Sequence, residues 1–162
     1  MRRLILVALL LFSLLTCACG AGKEDLSAVL CGPFEAELAG EMCGLSFEAC
    51  LTVGQADGQG VAPATLTFYA PRELSGTVLS RDAAGTVTLC YDNVAVGEAE
   101  GVGLLLFSLF PAASEIKGAA LNEAGNTVVS FEGGEVELSP DGVPLAVKNA
   151  DVSARVISWK KP

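Results

Sequence analysis

Between residues 34 and 53 the hydrophobic period is two. Phe34, Ala36, Leu38, Gly40 and Met42 alternate with Glu35, Glu37, Ala39 and Glu41; after a turn at Cys43-Gly44, Leu45, Phe47, Ala49, Leu51 and Val53 alternate with Ser46, Glu48, Cys50 and Thr52. Successive side chains of a strand point to opposite faces, so this pattern predicts an antiparallel hairpin with one dry face and one wet face. The pattern continues. Leu66, Phe68 and Ala70 alternate with threonines and Tyr69 in a strand closed by Pro71. Further strands are predicted over 74–81, 86–91, 126–132, 134–139, 143–148 and 152–159, with a shorter one around Val94 and Val96. Segment 54–60, residues 82–85 and the Pro140-Asp141-Gly142 turn separate them.

Two segments read as helix. Asp25 can cap a short one with Leu26, Val29 and Leu30 on one face, ended by Gly32-Pro33. Val102 to Ala120 is predicted as one long helix, very apolar over 104–110, with Pro111 kinking it or beginning a second segment. Eight to ten strands at ~4.8 Å would make a sheet roughly 40–45 Å wide, whereas a helix is only about 10 Å across. Two helices cannot cover that dry face. Either the sheet folds onto itself as a sandwich or barrel, or it curls around an apolar cavity. A helix placed between two runs of strands fits the curled sheet with a plug.

The expected fold is therefore mainly β (α+β), a curled antiparallel half-barrel with the long helix and the short N-terminal helix on its concave face. The cavity walls would be Phe34, Leu38, Met42, Phe47, Leu51, Leu66 and Phe68 from the sheet, and Leu105, Leu106, Phe107, Leu109 and Phe110 from the helix. Such a cavity would take a lipid, an acyl chain or another apolar ligand. If the dry surfaces simply pack on one another, the chain is a structural or protein-interaction module with a filled core and no ligand.

The N-terminus bears on location. Arg2 and Arg3 precede an apolar run from Leu4 to Leu15, then Thr16, Cys17, Ala18 and Cys19. Twelve helical residues reach about 18 Å, short of the ~30 Å hydrocarbon layer, so the segment reads as an export signal. Ala18-Cys19 resembles the lipobox of bacterial lipoproteins. That resemblance implies removal of 1–18, a diacylglycerol thioether on Cys19, and a chain anchored at the extracytoplasmic face of the cell membrane. Residues 19–24 would be a lipidated tether, and 25–162 a single domain.

Loss of Arg2 and Arg3 takes the formal charge from −9 to −11. No basic patch is left to release counterions from a phosphate backbone, so nucleic acid is not an expected partner. Docking on anionic headgroups is equally disfavoured, and membrane attachment must come from the lipid. A protein partner is left open. Beyond Cys17 and Cys19 the cysteines are Cys31, Cys43, Cys50 and Cys90. Export permits disulfides, and four cysteines allow three pairings. Cys31 and Cys43 flank one strand, and Cys43 and Cys50 lie about 23 Å apart along the next, beyond the ~7 Å a bridge spans. Free, mostly buried thiols are the expectation.

Residues 66–93, LTFYAPRELSGTVLSRDAAGTVTLCYDN, and residues 133–147, GGEVELSPDGVPLAV, resemble signatures of the LolA-like lipoprotein-carrier superfamily. The first is a strand ending in Pro, then x-x-Leu-x-Gly opening the next strand, a Gly turn and a strand ending near Asp. The second is a late strand, an Asp-Gly-x-Pro-Leu turn and a strand. The resemblance implies a half-barrel with helices over an apolar concave face, and a role in carrying lipoprotein acyl chains or binding other lipids. The chain departs from the dedicated carriers in lacking their aromatic-rich middle strands, and no arginine stands out as a ligand contact.

Catalytic patterns are weak. Ser114-Glu115-Ile116-Lys117 matches S-x-x-K, but its companion motifs are absent, and a polar helix end explains it. Glu98/Glu100 and Glu135/Glu137 are i,i+2 pairs that solvated strand edges account for. There is no histidine, the commonest general base, and no G-x-S-x-G or phosphate loop. No enzyme, catalytic residue, cofactor or metal site is expected.

Overall fold

The computed structural model describes residues 23–56, 61–99 and 102–162. The expected signal at 1–18, Cys17 and Cys19 lie outside the described residues, as does most of the expected tether; Lys23 and Glu24 already belong to the first helix. That helix, α1 (Lys23–Leu30), buries Leu26 and Leu30 and half-buries Val29, the face the sequence predicts. Gly32, at φ +100°, turns the chain out of it into the sheet.

The strands are β1 (Phe34–Met42), β2 (Leu45–Val53), β3 (Ala64–Ala70), β4 (Thr77–Arg81), β5 (Val87–Tyr91), β6 (Val94–Glu98), β7 (Ile116–Leu121), β8 (Thr127–Phe131), β9 (Gly134–Leu138), β10 (Pro144–Asn149) and β11 (Val152–Lys160). They form one antiparallel sheet in the order β6-β5-β4-β3-β2-β1-β11-β10-β9-β8-β7. The sheet is thus slightly wider than the eight to ten strands expected. Its edges, β6 and β7, are consecutive in the chain.

That topology forces curvature. Laid flat, ten interstrand steps of ~4.8 Å would hold the two edges about 48 Å apart. The connection from Ala99 to Ile116 contains a helix, α2 (Val102–Phe107), and a 3₁₀ turn at Ala113–Glu115. Even with every other residue extended it would reach only roughly 45 Å. The sheet curls without closing, and the connection crosses the hollow as a strap.

The dry face is legible row by row. Ala36, Leu51, Leu66 and Leu79 lie opposite one another across β1 to β4, and all are buried. Phe34, Leu38, Phe47, Ala49, Phe68 and Val87 join them, as do Val129, Phe131, Val136, Leu138, Val147, Val152 and Ala154 from the other half. Met42 and Leu89 are half-buried, and Leu45, beside the hairpin tip, is exposed. The wet face carries Glu37 and Glu48, and two exposed ion pairs: Glu35 with Lys160 at 3.0 Å and Glu135 with Lys148 at 3.1 Å. Such pairs contribute little to stability. Gly40 lies opposite Ala154 on β11. A Cβ there would meet the Ser153 carbonyl oxygen and lie 2.5 Å from Ala154 Cα, so only glycine fits.

The structure corrects the expected long helix. Residues 102–120 are a six-residue helix, a turn through Ser108–Phe110, a proline and a 3₁₀ turn; from Ile116 onward the chain is the edge strand β7. Pro111 lacks the N–H a helix needs and crowds the preceding turn. Ile116 to Leu121 instead pair with β8. All four described cysteines are free, as expected, but Cys43 is exposed and the other three are half-buried. Ser114 and Lys117 are both exposed and share no helix, which removes the S-x-x-K geometry.

A candidate ligand cleft at one mouth of the half-barrel

The strap is held on the concave face by its apolar side chains. Leu106 and Leu109 are essentially sealed at 1% and 0% exposure, Phe107 is buried, and Leu105 and Phe110 are half-buried. Burying a large apolar side chain contributes ~1.5–3 kcal/mol, so these residues fix the strap far more strongly than its few hydrogen bonds do. Those bonds include Asn149 Nδ2 donating to the Leu105 carbonyl at 3.4 Å and the Cys31 thiol donating to the Pro111 carbonyl at 3.4 Å. The Ala112 N–H donates to the Glu115 carboxylate at 2.9 Å, closing the 3₁₀ turn from one side.

The strap leaves one mouth of the hollow incompletely filled. There, at the start of β1 and the end of β2, lies a cleft of about 540 Å³. Phe34, Leu51 and Val53 form its sheet wall, Leu30 to Gly32 its helix side, and Phe107, Ser108 and Phe110 to Ala112 its strap side. Ala56, Val61 and Ala62 border it from the β2–β3 loop. An aromatic cluster backs the wall: Phe34 stacks on Trp159 with centroids 4.3 Å apart, and Phe110 meets Phe34 edge-on at 4.9 Å and Trp159 at 5.2 Å. A second hollow of about 580 Å³, around Glu41, Ser46, Glu48, Ser153 and Arg155, takes its rim from wet-face residues and lies away from the strap.

Of the twelve cavity residues expected from sequence, the cleft brings together Phe34, Leu51, Phe107 and Phe110. Leu38, Leu66, Leu106 and Leu109 are instead sealed in the core, at 1% exposure or less. Phe68 is buried too, edge-on to Phe47 with centroids 6.2 Å apart, and Phe47 borders the second hollow. Met42 and Leu105 line neither space.

Sequence reading missed Arg81. It occupies the last position of β4, opposite Ala64 on one side and Val87 on the other, both buried. It is therefore on the dry face with Leu79, where the other described strand rows are uncharged. Its Nε and Nη2 donate to the Ala62 carbonyl at 3.2 and 2.9 Å, and its guanidinium carbon sits 5.1 Å from the centroid of the Phe107 ring. Burial disfavours the charged guanidinium and draws its pKa below the ordinary value. Alternation alone could have flagged it: Leu79 and Arg81 are two apart on one strand.

The titratable groups nearer the helix end are Cys31, Glu115 and Lys161. Burial raises the Cys31 pKa, the Lys161 ammonium opposes that shift, and Glu115 adds to it. Lys161 Nζ donates to the Ala28 and Cys31 carbonyls. Among the described residues no group of three or more His, Cys, Asp or Glu side chains could hold a metal ion, and no helix is long and apolar enough to cross a membrane.

No protein-family model and no curated protein matches the chain. Solved structures do. A domain provisionally named an outer membrane lipoprotein-sorting protein, from Vibrio parahaemolyticus, is similar over 85% of this chain and 89% of its own, at 12% identity and TM-score 0.48. An uncharacterized conserved protein from Thermus thermophilus is similar over 86% and 84%, at 16% identity and TM-score 0.47. MucB is similar over 88% of this chain and 59% of its own, at 16% identity and TM-score 0.39.

Proposed function

We propose that this chain is a lipid-anchored envelope protein whose half-barrel binds a single acyl chain in the cleft between α1, β1–β2 and the strap. The observation that carries the reading is an apolar cleft of about 540 Å³ at a mouth the strap does not fill. Taking a methylene as about the size of a water, ~30 Å³, the space suits on the order of eighteen such groups, one chain rather than two. The anchor rests on Arg2, Arg3, the short apolar run and Ala18-Cys19. It would hold the domain beginning near residue 25 at the extracytoplasmic membrane face, beside a source of such chains.

The test is calorimetric titration of the full-length chain carrying Cys19→Ala with 1-monopalmitoylglycerol, a neutral single-chain lipid. Saturable binding is expected. Ala112→Trp, at an exposed position on the cleft rim, should weaken it at least tenfold while the thermal midpoint stays within a few degrees. In cells, Cys19→Ala should move the chain out of the membrane fraction and end incorporation of labelled fatty acid; persistent labelling would place the anchor at Cys17 or elsewhere.

A second reading has its own support. Leu106, Phe107 and Leu109 already occupy the centre of the concave face. A chain that binds no lipid at any concentration tested would be a structural or protein-interaction module whose strap completes its core.

A further inference from the structure

The cleft's one charged dry-face neighbour points to the kind of ligand it would hold. Resting on the acyl-chain reading above, we infer that the cleft selects single-chain amphiphiles with an anionic head, a carboxylate or a phosphate, and that Arg81 binds that head.

Three observations meet at this residue. First, strand register puts Arg81 inside the hollow, between the buried Ala64 and Val87, where an arginine is costly unless it serves something. Second, its known hydrogen bonds, from Nε and Nη2, go to a single neutral acceptor, the Ala62 carbonyl. A guanidinium has further N–H donors in a fixed fork suited to a carboxylate or phosphate. Among the described residues, no carboxylate lies within ion-pair distance of it. Third, the guanidinium lies over Phe107, and both residues line the cleft. The ring covers it from the strap side and holds the fork in place at the boundary of the apolar space. Burial disfavours the charged guanidinium, and an arriving anion would offset that penalty.

The other charges around the cleft are compatible with this polarity. Glu115, the acidic residue among the lining groups, is exposed and bonded to the Ala112 N–H. It acts on Cys31 together with Lys161, at the helix side of the cleft. The head would sit at the β4 side, against Arg81, and the chain would run along Phe34, Leu51 and Val53.

The test compares ligands that differ only in the head. The full-length chain carrying Cys19→Ala is titrated with palmitate, methyl palmitate and 1-palmitoyl lysophosphatidate. Trp159, the only tryptophan, stacks on the lining residue Phe34 and supplies a fluorescence signal besides heat. Palmitate, lysophosphatidate or both should bind at least about tenfold more tightly than the methyl ester, the scale of a hydrogen bond to a charged group. The comparison of the two acids tells whether the fork prefers carboxylate or phosphate. Arg81→Gln should bring the acid-to-ester ratio close to one, and Arg81→Lys should keep part of the ratio. An arginine that only braced the Ala62 loop would change all three affinities together.

Equal binding of acid and ester by the unaltered chain would overturn the inference and leave the acyl-chain reading intact. So would an acid-to-ester ratio that survives Arg81→Gln. Failure of all three ligands to bind the unaltered chain would remove both. If Arg81→Gln does not fold, the ratio in Arg81→Lys decides: a value below that of the unaltered chain supports the fork, and an unchanged value overturns it.

Discussion

Cys31 shows how far a single residue's chemistry here depends on its neighbours. Its thiol donates to the Pro111 carbonyl across the cleft, and burial raises its pKa, with Lys161 pulling it down and Glu115 pushing it up. A raised thiol pKa means less thiolate at a given pH, and only the thiolate is the nucleophile. At pH 8, iodoacetamide should therefore alkylate the exposed Cys43 well before Cys31, as followed by mass spectrometry of the two peptides. The sign can be worked through the neighbours. Lys161→Gln removes the opposing charge and should slow Cys31 further, whereas Glu115→Gln should speed it while keeping an oxygen for the Ala112 N–H. Equal rates at Cys31 and Cys43 would mean the thiol is not held in the wall. Local pattern assigned Cys31 no such role, because the residues that set its pKa are more than eighty positions away. Arg81 is the opposite case. Its face was readable from Leu79 two residues before, but its importance was not, because the partner ring Phe107 reaches it only through the strap.

At the scale of elements, local pattern succeeded wherever one face is wet. The β1–β2 register, Met42 opposite Leu45 and Phe34 opposite Val53, follows from the alternation and from a two-residue turn. Both turn residues have positive φ, +50° at Cys43 and +81° at Gly44, as a type I′ turn requires. Cysteine is an uncommon residue in that conformation, and asparagine tolerates it well. Cys43→Asn should stabilise the protein by about 0.5–1 kcal/mol, seen as a higher urea midpoint with an unchanged slope. A lower midpoint would mean that Cys43 makes a favourable contact outweighing its backbone strain. Pattern failed where no face is wet. LLLFSLF at 104–110 is apolar on every side, so its period distinguishes nothing, and it is a short helix and turn wedged into the hollow. Ile116 to Leu121 are rich in alanine and read as helix by propensity, yet pairing with β8 makes them strand. The cleft depends on that unreadable segment, which is why four of the twelve expected wall residues meet there and four others disappear into the core.

For the whole molecule, the sheet order contains a simpler chain. Read from β7 through β11 and then from β1 through β6, every strand lies beside its successor. The native chain is this meander opened between β11 and β1 and joined across the hollow by the strap. The two halves, β1–β6 and β7–β11, can form from local hairpins. They are united by the β1–β11 pairing, in which Glu35 and Lys160 are 125 residues apart. Closing so long a loop costs entropy before any contact rewards it, and such pairings slow folding. A circular permutant that joins residue 162 to residue 23 through a short linker and opens the chain at 100–101 would bring that separation down to roughly twenty residues. It should keep the far-UV spectrum of the parent and fold faster in a stopped-flow refolding experiment. Its stability should fall by a few kcal/mol, because the strap would be tied to the sheet only at β7, and the cleft would lose affinity for monopalmitoylglycerol in proportion. The strap's buried residues, Leu106, Phe107 and Leu109, set the expected limit to that loss, since they can still enter the hollow from one side. A permutant that folds more slowly than the parent, or only with the strap released, would show that the strap draws the two edges together before the central strands meet.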